Sequence, residues 1–169
     1  MPEITIRHEL ACDTDTYFLK CLFDAEYNQR LFIDQLKFPG YKVLEQKDEG
    51  DTISRRIHIS PPLEGFPAPV KKAVGDSFSY VEEGTYNKKT KRYTFKVVPS
   101  AMADKSKTVG ELWCEPLGDK KIARIAKILV EVKVFMIGGM VEDKIIADLK
   151  SSYNAAATFT DAFVKEKGY

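Results

Sequence analysis

One charged residue interrupts an apolar register near the middle of the chain. Between residues 121 and 134 every second position is Ile122, Arg124, Ala126, Ile128, Val130, Val132 and Val134. A guanidinium among such neighbours is costly to bury unless it is paired. Its planar fork could orient the carboxylate or phosphate of a ligand through two parallel hydrogen bonds. The plainer reading is an internal ion pair with Glu111, Glu115 or another strand acid, or an exposed strand end.

Other residues capable of chemistry are sparse. His8 shares the inward register of residues 3–10 with Ile4, Ile6 and Leu10. Imidazole titrates near neutrality, yet a lone histidine there suits a hydrogen-bonded strand end better than a base. His58, the other histidine, alternates with Ser54, Arg56 and Ser60 and is expected to face solvent. The two have no spacing for joint metal ligation. Cys12, Cys21 and Cys114 lack CxxC spacing and read as reduced, partly buried thiols. The adjacent acids Glu82-Glu83 and Glu142-Asp143 diverge in direction on a strand or a helix, so neither is a shared acid/base pair. Glu142 reads as a carboxylate complementing a helix dipole. No GxSxG, HExxH, P-loop or GxGxxG element occurs. Accordingly no catalytic residue, cofactor or metal is assigned.

The bulk properties narrow the class. The chain has 169 residues, 44% of them hydrophobic, enough for one domain (residues 1–169) with a sizeable core. Lys+Arg is 26 against Asp+Glu 25, so there is no global pull toward nucleic acid or an anionic membrane. The first ten residues carry charges and no apolar run, unlike a signal peptide. No stretch is long enough to span a bilayer as a helix. A cytoplasmic protein is the expectation.

Periodicity orders the elements. Residues 3–10 alternate as a strand. Asp13 or Thr14, and then Asp24, can cap two short helices. A hairpin follows, turning at Asp48-Glu49-Gly50-Asp51. The segment "PPLEGFPAPVKKAVGD" holds four of the eight prolines, with a short helix begun at Pro69 and ended at Gly75; it could serve as a lid through Phe66 and Val70, or as a stiff connection that closes one end of the core. A second hairpin opposes Phe78 and Tyr80 to Tyr93, Phe95 and Val97 around Asn87–Lys91. The basic tip "NKKTKR" reads as solvated, with transient membrane contact a secondary role. "SAMADKSK" is a loop, and a third hairpin turns at Leu117-Gly118-Asp119. After Gly138-Gly139 the period becomes helical, through Val141, Ile145, Leu149, Ala156, Phe159 and Phe163. A helix over about residues 140–166 must bury that stripe on something equally long, and the antiparallel sheet is the one partner available. The glycine pair supplies positive φ or close backbone approach at the hinge.

The order of elements, the segment "FDAEYNQRLF" and "VKVFMIGGMVEDKI" leading into the last helix resemble the START-like, or polyketide cyclase/SRPBCC, superfamily. More narrowly, "FPAPVKKAVGDSFSYVEEGTY" with "GGMVE" is similar to a bacterial START-related family of uncharacterised function. The resemblance spans essentially the whole chain and rests on no catalytic signature. It implies an α+β helix-grip fold: a curved antiparallel sheet wrapped around a long C-terminal helix, with two short helices after the first strand. It also implies an apolar cavity between sheet and helix that binds or transports a lipid-like or other hydrophobic small molecule. Tyr80, Phe95, Trp113, Arg124 and Ile128 from the strands, and Met140, Leu149, Tyr153 and Ala156 from the helix, are the candidate ligand-binding residues. Small side chains around Ser151, Ser152 and Ala155–Ala157 either permit close packing or leave room for the ligand. The alternatives are a cyclase- or dehydratase-type enzyme using the same cavity, with Arg124, His8 or Tyr80 as polar groups, and a protein-binding module whose cavity is collapsed. Nucleic acid is not an expected partner, because the basic residues form a single tip.

Overall fold

The computed structural model describes residues 2–169. Seven strands form one sheet in which every neighbouring pair is antiparallel: β1 (Glu3–Leu10), β2 (Gly40–Asp48), β3 (Thr52–Ser60), β4 (Tyr80–Asn87), β5 (Arg92–Pro99), β6 (Ser106–Gly118) and β7 (Lys121–Val132). Their spatial order is β1-β7-β6-β5-β4-β3-β2, so the three hairpins stay in sequence and β1 closes onto the last strand. This is the helix-grip fold, a curved sheet embracing a long C-terminal helix.

Between β1 and β2 the two short helices form as their caps dictate. Asp13 accepts from the Thr16 N–H at 2.8 Å and starts α1 (Thr14–Tyr17). Asp24 accepts from the Tyr27 N–H at 2.8 Å and starts α2 (Ala25–Gln29). Each helix then widens into π-type turns, Phe18–Leu22 and Arg30–Gln35. The proline-rich segment yields α3 (Ala68–Val74), ended by Gly75 at φ 81°.

The last helix, α4, runs Gly138–Lys167, about 45 Å at 1.5 Å per residue. Its buried stripe includes Val141, Ala156, Phe159 and Phe163. Burying each large side chain is worth roughly 1.5–3 kcal/mol, which a solitary helix of this composition would lack. The helix lies over β1 and β7. Tyr27 on α2 joins Thr160 on α4 through a 2.7 Å hydroxyl contact, and Asp161 accepts from the Ala11 N–H at 2.8 Å. The main core gathers Ile6, Leu10, Phe18, Tyr93, Ile128 and Phe163 between these layers. A smaller cluster around Val70, Val132 and Val141 joins α3 to the β7–α4 junction.

Several expectations are corrected. The left-handed backbone at the hinge belongs to Met136 (φ 68°), with neither glycine of the pair adopting it. Gly138 supplies the other role expected of the pair, close backbone approach, since a Cβ there would overlap the Val132 carbonyl oxygen. The helix begins two residues earlier than its apolar stripe suggests, so Glu142 lies beyond the first turn. Instead of complementing the dipole, Glu142 accepts from the Val132 N–H at 2.8 Å and fastens the hinge. In the second hairpin Tyr93 faces Tyr86 and Phe95 faces Gly84, while Tyr80 faces Pro99 and Phe78 precedes the strand. β6 starts at Ser106, inside the expected loop.

Candidate functional site

Between the inner face of the sheet and α4 lies a cavity of about 440 Å³. On β7 Arg124 and Val132 border it, eight positions or about 26 Å of strand apart, while Ala126, Ile128 and Val130 between them are enclosed in the core. The space is therefore long for its volume. Most of the wall is apolar, and α3 with the preceding loop contributes Phe66, Val70 and Val74.

Of the residues singled out in the sequence, Tyr80, Phe95, Arg124, Leu149, Tyr153 and Ala156 line this cavity. Three do not. Trp113 is one residue out of phase with the inward Leu112 and stacks on Arg92 at the other face of the sheet, 4.5 Å from guanidinium carbon to ring centre. Ile128 is inward but wholly enclosed by the core. Met140 is 41% exposed on the outer side of α4. Among the small residues of the helix centre, Ser151, Ser152 and Ala156 border the cavity, and Ala157 packs in the core.

Arg124 has no ion pair among the described residues. Glu111 lies on the opposite face of β6 and pairs with Arg92 at 2.7 Å, and Glu115 is exposed. The expected strand acid is absent because the residue across from Arg124 on β6 is Cys114, and across on β1 is His8. Arg124 is 2% exposed. Its Nη2 donates to the Tyr153 carbonyl oxygen at 3.0 Å and lies 3.3 Å from His8 Nδ1. The guanidinium also sits over the rings of Tyr17 and Tyr153, 5.6 and 5.0 Å from their centres. Burial, and then the guanidinium, hold His8 below its ordinary pKa, with a contact to Asn154 in partial opposition. Nδ1 is thus a lone-pair acceptor and the ring is neutral.

A second polar group faces the cavity and was not singled out in the sequence. Arg55 on β3, 5% exposed, pairs with Glu82 on β4 at 3.2 Å. Its Nε donates to the Tyr93 hydroxyl at 3.1 Å, and that hydroxyl donates to Glu82 at 2.8 Å. Its Nη1 donates to the Leu22 carbonyl at 2.6 Å, where the π-type turn ends and leaves an acceptor free. Burial opposes the charge on Arg55, but Tyr93 and Glu82 outweigh it and hold the pKa above the ordinary arginine value. Burial and then Glu82 push the Tyr93 hydroxyl well up, so it stays protonated. The available sequence signal was Arg55 on the register of Ile53, Ile57 and Ile59, the same pattern that exposed Arg124.

Residues 5–164 match the family described as "Protein of unknown function (DUF2505)". The chain belongs to this family. No curated protein matches the DUF2505 chain significantly. Solved structures similar to it include the Zhui aromatase/cyclase from Streptomyces sp. R1128, at 10% identity and TM-score 0.64 over 99% of this chain and 96% of that one. A START superfamily protein from Mycobacterium smegmatis matches at 16% identity and TM-score 0.61, over 97% of each chain. Norcoclaurine synthase from Thalictrum flavum matches at 14% identity and TM-score 0.63, over 98% of this chain and 87% of that one. At these identities the likeness is one of fold, and it bears out the START-like resemblance.

The basic hairpin tip of this DUF2505 chain is largely neutralised. Lys88 pairs with Asp48 at 2.8 Å and Lys91 with Asp15 at 3.1 Å, while Arg92 is the partner of Glu111. No helix among the described residues is long and apolar enough to cross a membrane. No group of three or more metal-ligating side chains occurs among them either.

Proposed function

We propose that the protein binds a hydrophobic small molecule in the cavity between its sheet and α4. The observation that carries this reading is the unfilled space of about 440 Å³ with predominantly apolar walls, within the range of small-molecule sites. It holds on the order of fifteen water-sized groups at roughly 30 Å³ each. A collapsed, protein-binding variant of the fold would have that space filled with side chains. Two of the solved neighbours, an aromatase/cyclase and norcoclaurine synthase, are named for acting on small organic molecules.

The test is native mass spectrometry of freshly purified protein, with organic extraction of any released molecule and reloading from a panel of lipids and polyketides. A bound mass that disappears in Ala156→Trp is the expected result, because Ala156 borders the cavity. A bare chain that takes up nothing from the panel would overturn the proposal.

A cyclase- or dehydratase-type enzyme is the second reading, favoured by the Arg55–Tyr93–Glu82 group at the cavity wall. A ligand recovered chemically unchanged after incubation speaks for a carrier. Conversion that is lost in Glu82→Gln speaks for the enzyme.

A further inference from the structure

The charges along the cavity do not balance where they are buried. Three cations line it, Arg55, Arg124 and Lys144, against three acids, Glu64, Glu82 and Asp148. Arg55 pairs with Glu82 and Lys144 with Asp148, and Glu64 is exposed. Arg124 is left as a buried cation with no carboxylate within ion-pair distance among the described residues. Arginine does not shed its proton to escape such a site, and it carries five N–H donors. Beside a polar contact with the Tyr17 hydroxyl, its two side-chain hydrogen bonds use Nη2, toward a carbonyl and a neutral imidazole. Neither partner brings negative charge. The ring faces of Tyr17 and Tyr153 offset part of the burial, and a carboxylate would offset far more through a charge-assisted fork.

We propose that the ligand is an amphiphilic organic acid, its carboxylate seated on Arg124 and its apolar body extending along the cavity toward α3. This rests on the cavity being a small-molecule site, as argued above. The direction follows from β7: Arg124 lies near its start, whereas Val132 at its end packs with Val70 of α3. The size is that of a medium-chain or aromatic acid, too small for a two-chain phospholipid.

The experiment titrates the delipidated full chain with dodecanoate, dodecanol and dodecyl phosphate, and with 2-naphthoate against 2-naphthylmethanol, by calorimetry. Within at least one pair, the acid is expected to bind about tenfold or more tightly than its alcohol, as a charged hydrogen bond predicts. Arg124→Met is expected to remove that preference while leaving alcohol binding, and Arg124→Lys to retain part of it because the fork is lost but the charge is kept. Equal binding of acid and alcohol would overturn the acid assignment and leave the hydrophobic-site reading standing. Tighter binding of dodecyl phosphate than of dodecanoate would overturn the carboxylate in favour of a phosphate. Binding of none of the five would overturn this proposal and count against the site itself. The acid–alcohol comparison uses the unaltered protein, so it decides the question even if the Arg124 variants fail to fold.

Discussion

His8 stands directly across the β1–β7 ladder from Arg124, its Nδ1 3.3 Å from the guanidinium nitrogen. Burial opposes the imidazolium, and protonating Nδ1 would in addition place two cations in contact. Between the ordinary value of 6.5 and the lower folded value, the unfolded chain binds a proton that the folded chain refuses. Stability from this source is therefore complete above about pH 6.5 and is lost as pH falls through that window. Urea midpoints at pH 7.5 and 5.5 should show the protein weaker at 5.5, with a smaller difference in His8→Gln. An equal pH dependence in the variant would remove His8 from the account.

Arg55 and Glu82 are 27 residues apart in sequence and lie on adjacent strands, with their side chains 4% and 18% exposed. Removing one member of a buried pair leaves the other charge without a partner, at a cost of about 3–5 kcal/mol. Glu82 retains some contact with solvent, so the low end applies to Glu82→Ala. Urea denaturation measures it. Replacing both residues together with apolar ones, Arg55→Met and Glu82→Leu, should cost less than the sum of the single changes. A loss below about 1 kcal/mol for Glu82→Ala would mean the pair behaves as a surface ion pair.

The contrast between these two arginines shows what the sequence makes legible. Strand and helix periods are local, so β7, α4 and the caps at Asp13 and Asp24 can be read directly from residue order. The inward direction of Arg124 can be read in the same way. Its partners cannot, because they depend on which residues the β1–β7 and β6–β7 registers bring alongside, and register is a property of pairs of strands. The same limit misplaced Tyr80 opposite Tyr93 and hid the meeting of Arg55 with Glu82. Trp113 lies outside the cavity for a simpler reason: the two-residue period on β6 gives the inward face to Leu112 and turns the neighbouring aromatic ring outward. The left-handed residue at Met136 carries no signal at all, since the two glycines beside it are the residues that ordinarily supply such a conformation.

Gly84 is the floor on which the Tyr93 ring rests. A Cβ at that position would overlap the ring and its hydroxyl. The ring is rigid and held by both Arg55 and Glu82, so it cannot yield without giving up those contacts. Gly84→Ala is therefore expected to destabilise the fold by about 1–3 kcal/mol, the usual cost of overpacking. It should also displace the Tyr93 hydroxyl from Glu82, which a lowered phenol pKa in a spectrophotometric titration would report. Gly139→Ala is the matched control. A Cβ there meets nothing within 4 Å, and Gly139 already lies in α4. Alanine at that helical site should be neutral or stabilising by up to about 1 kcal/mol. If both substitutions prove harmless to the urea midpoint, the Tyr93 ring has room that the packing described here does not allow, and the polar group at the cavity wall is held less firmly than its distances imply.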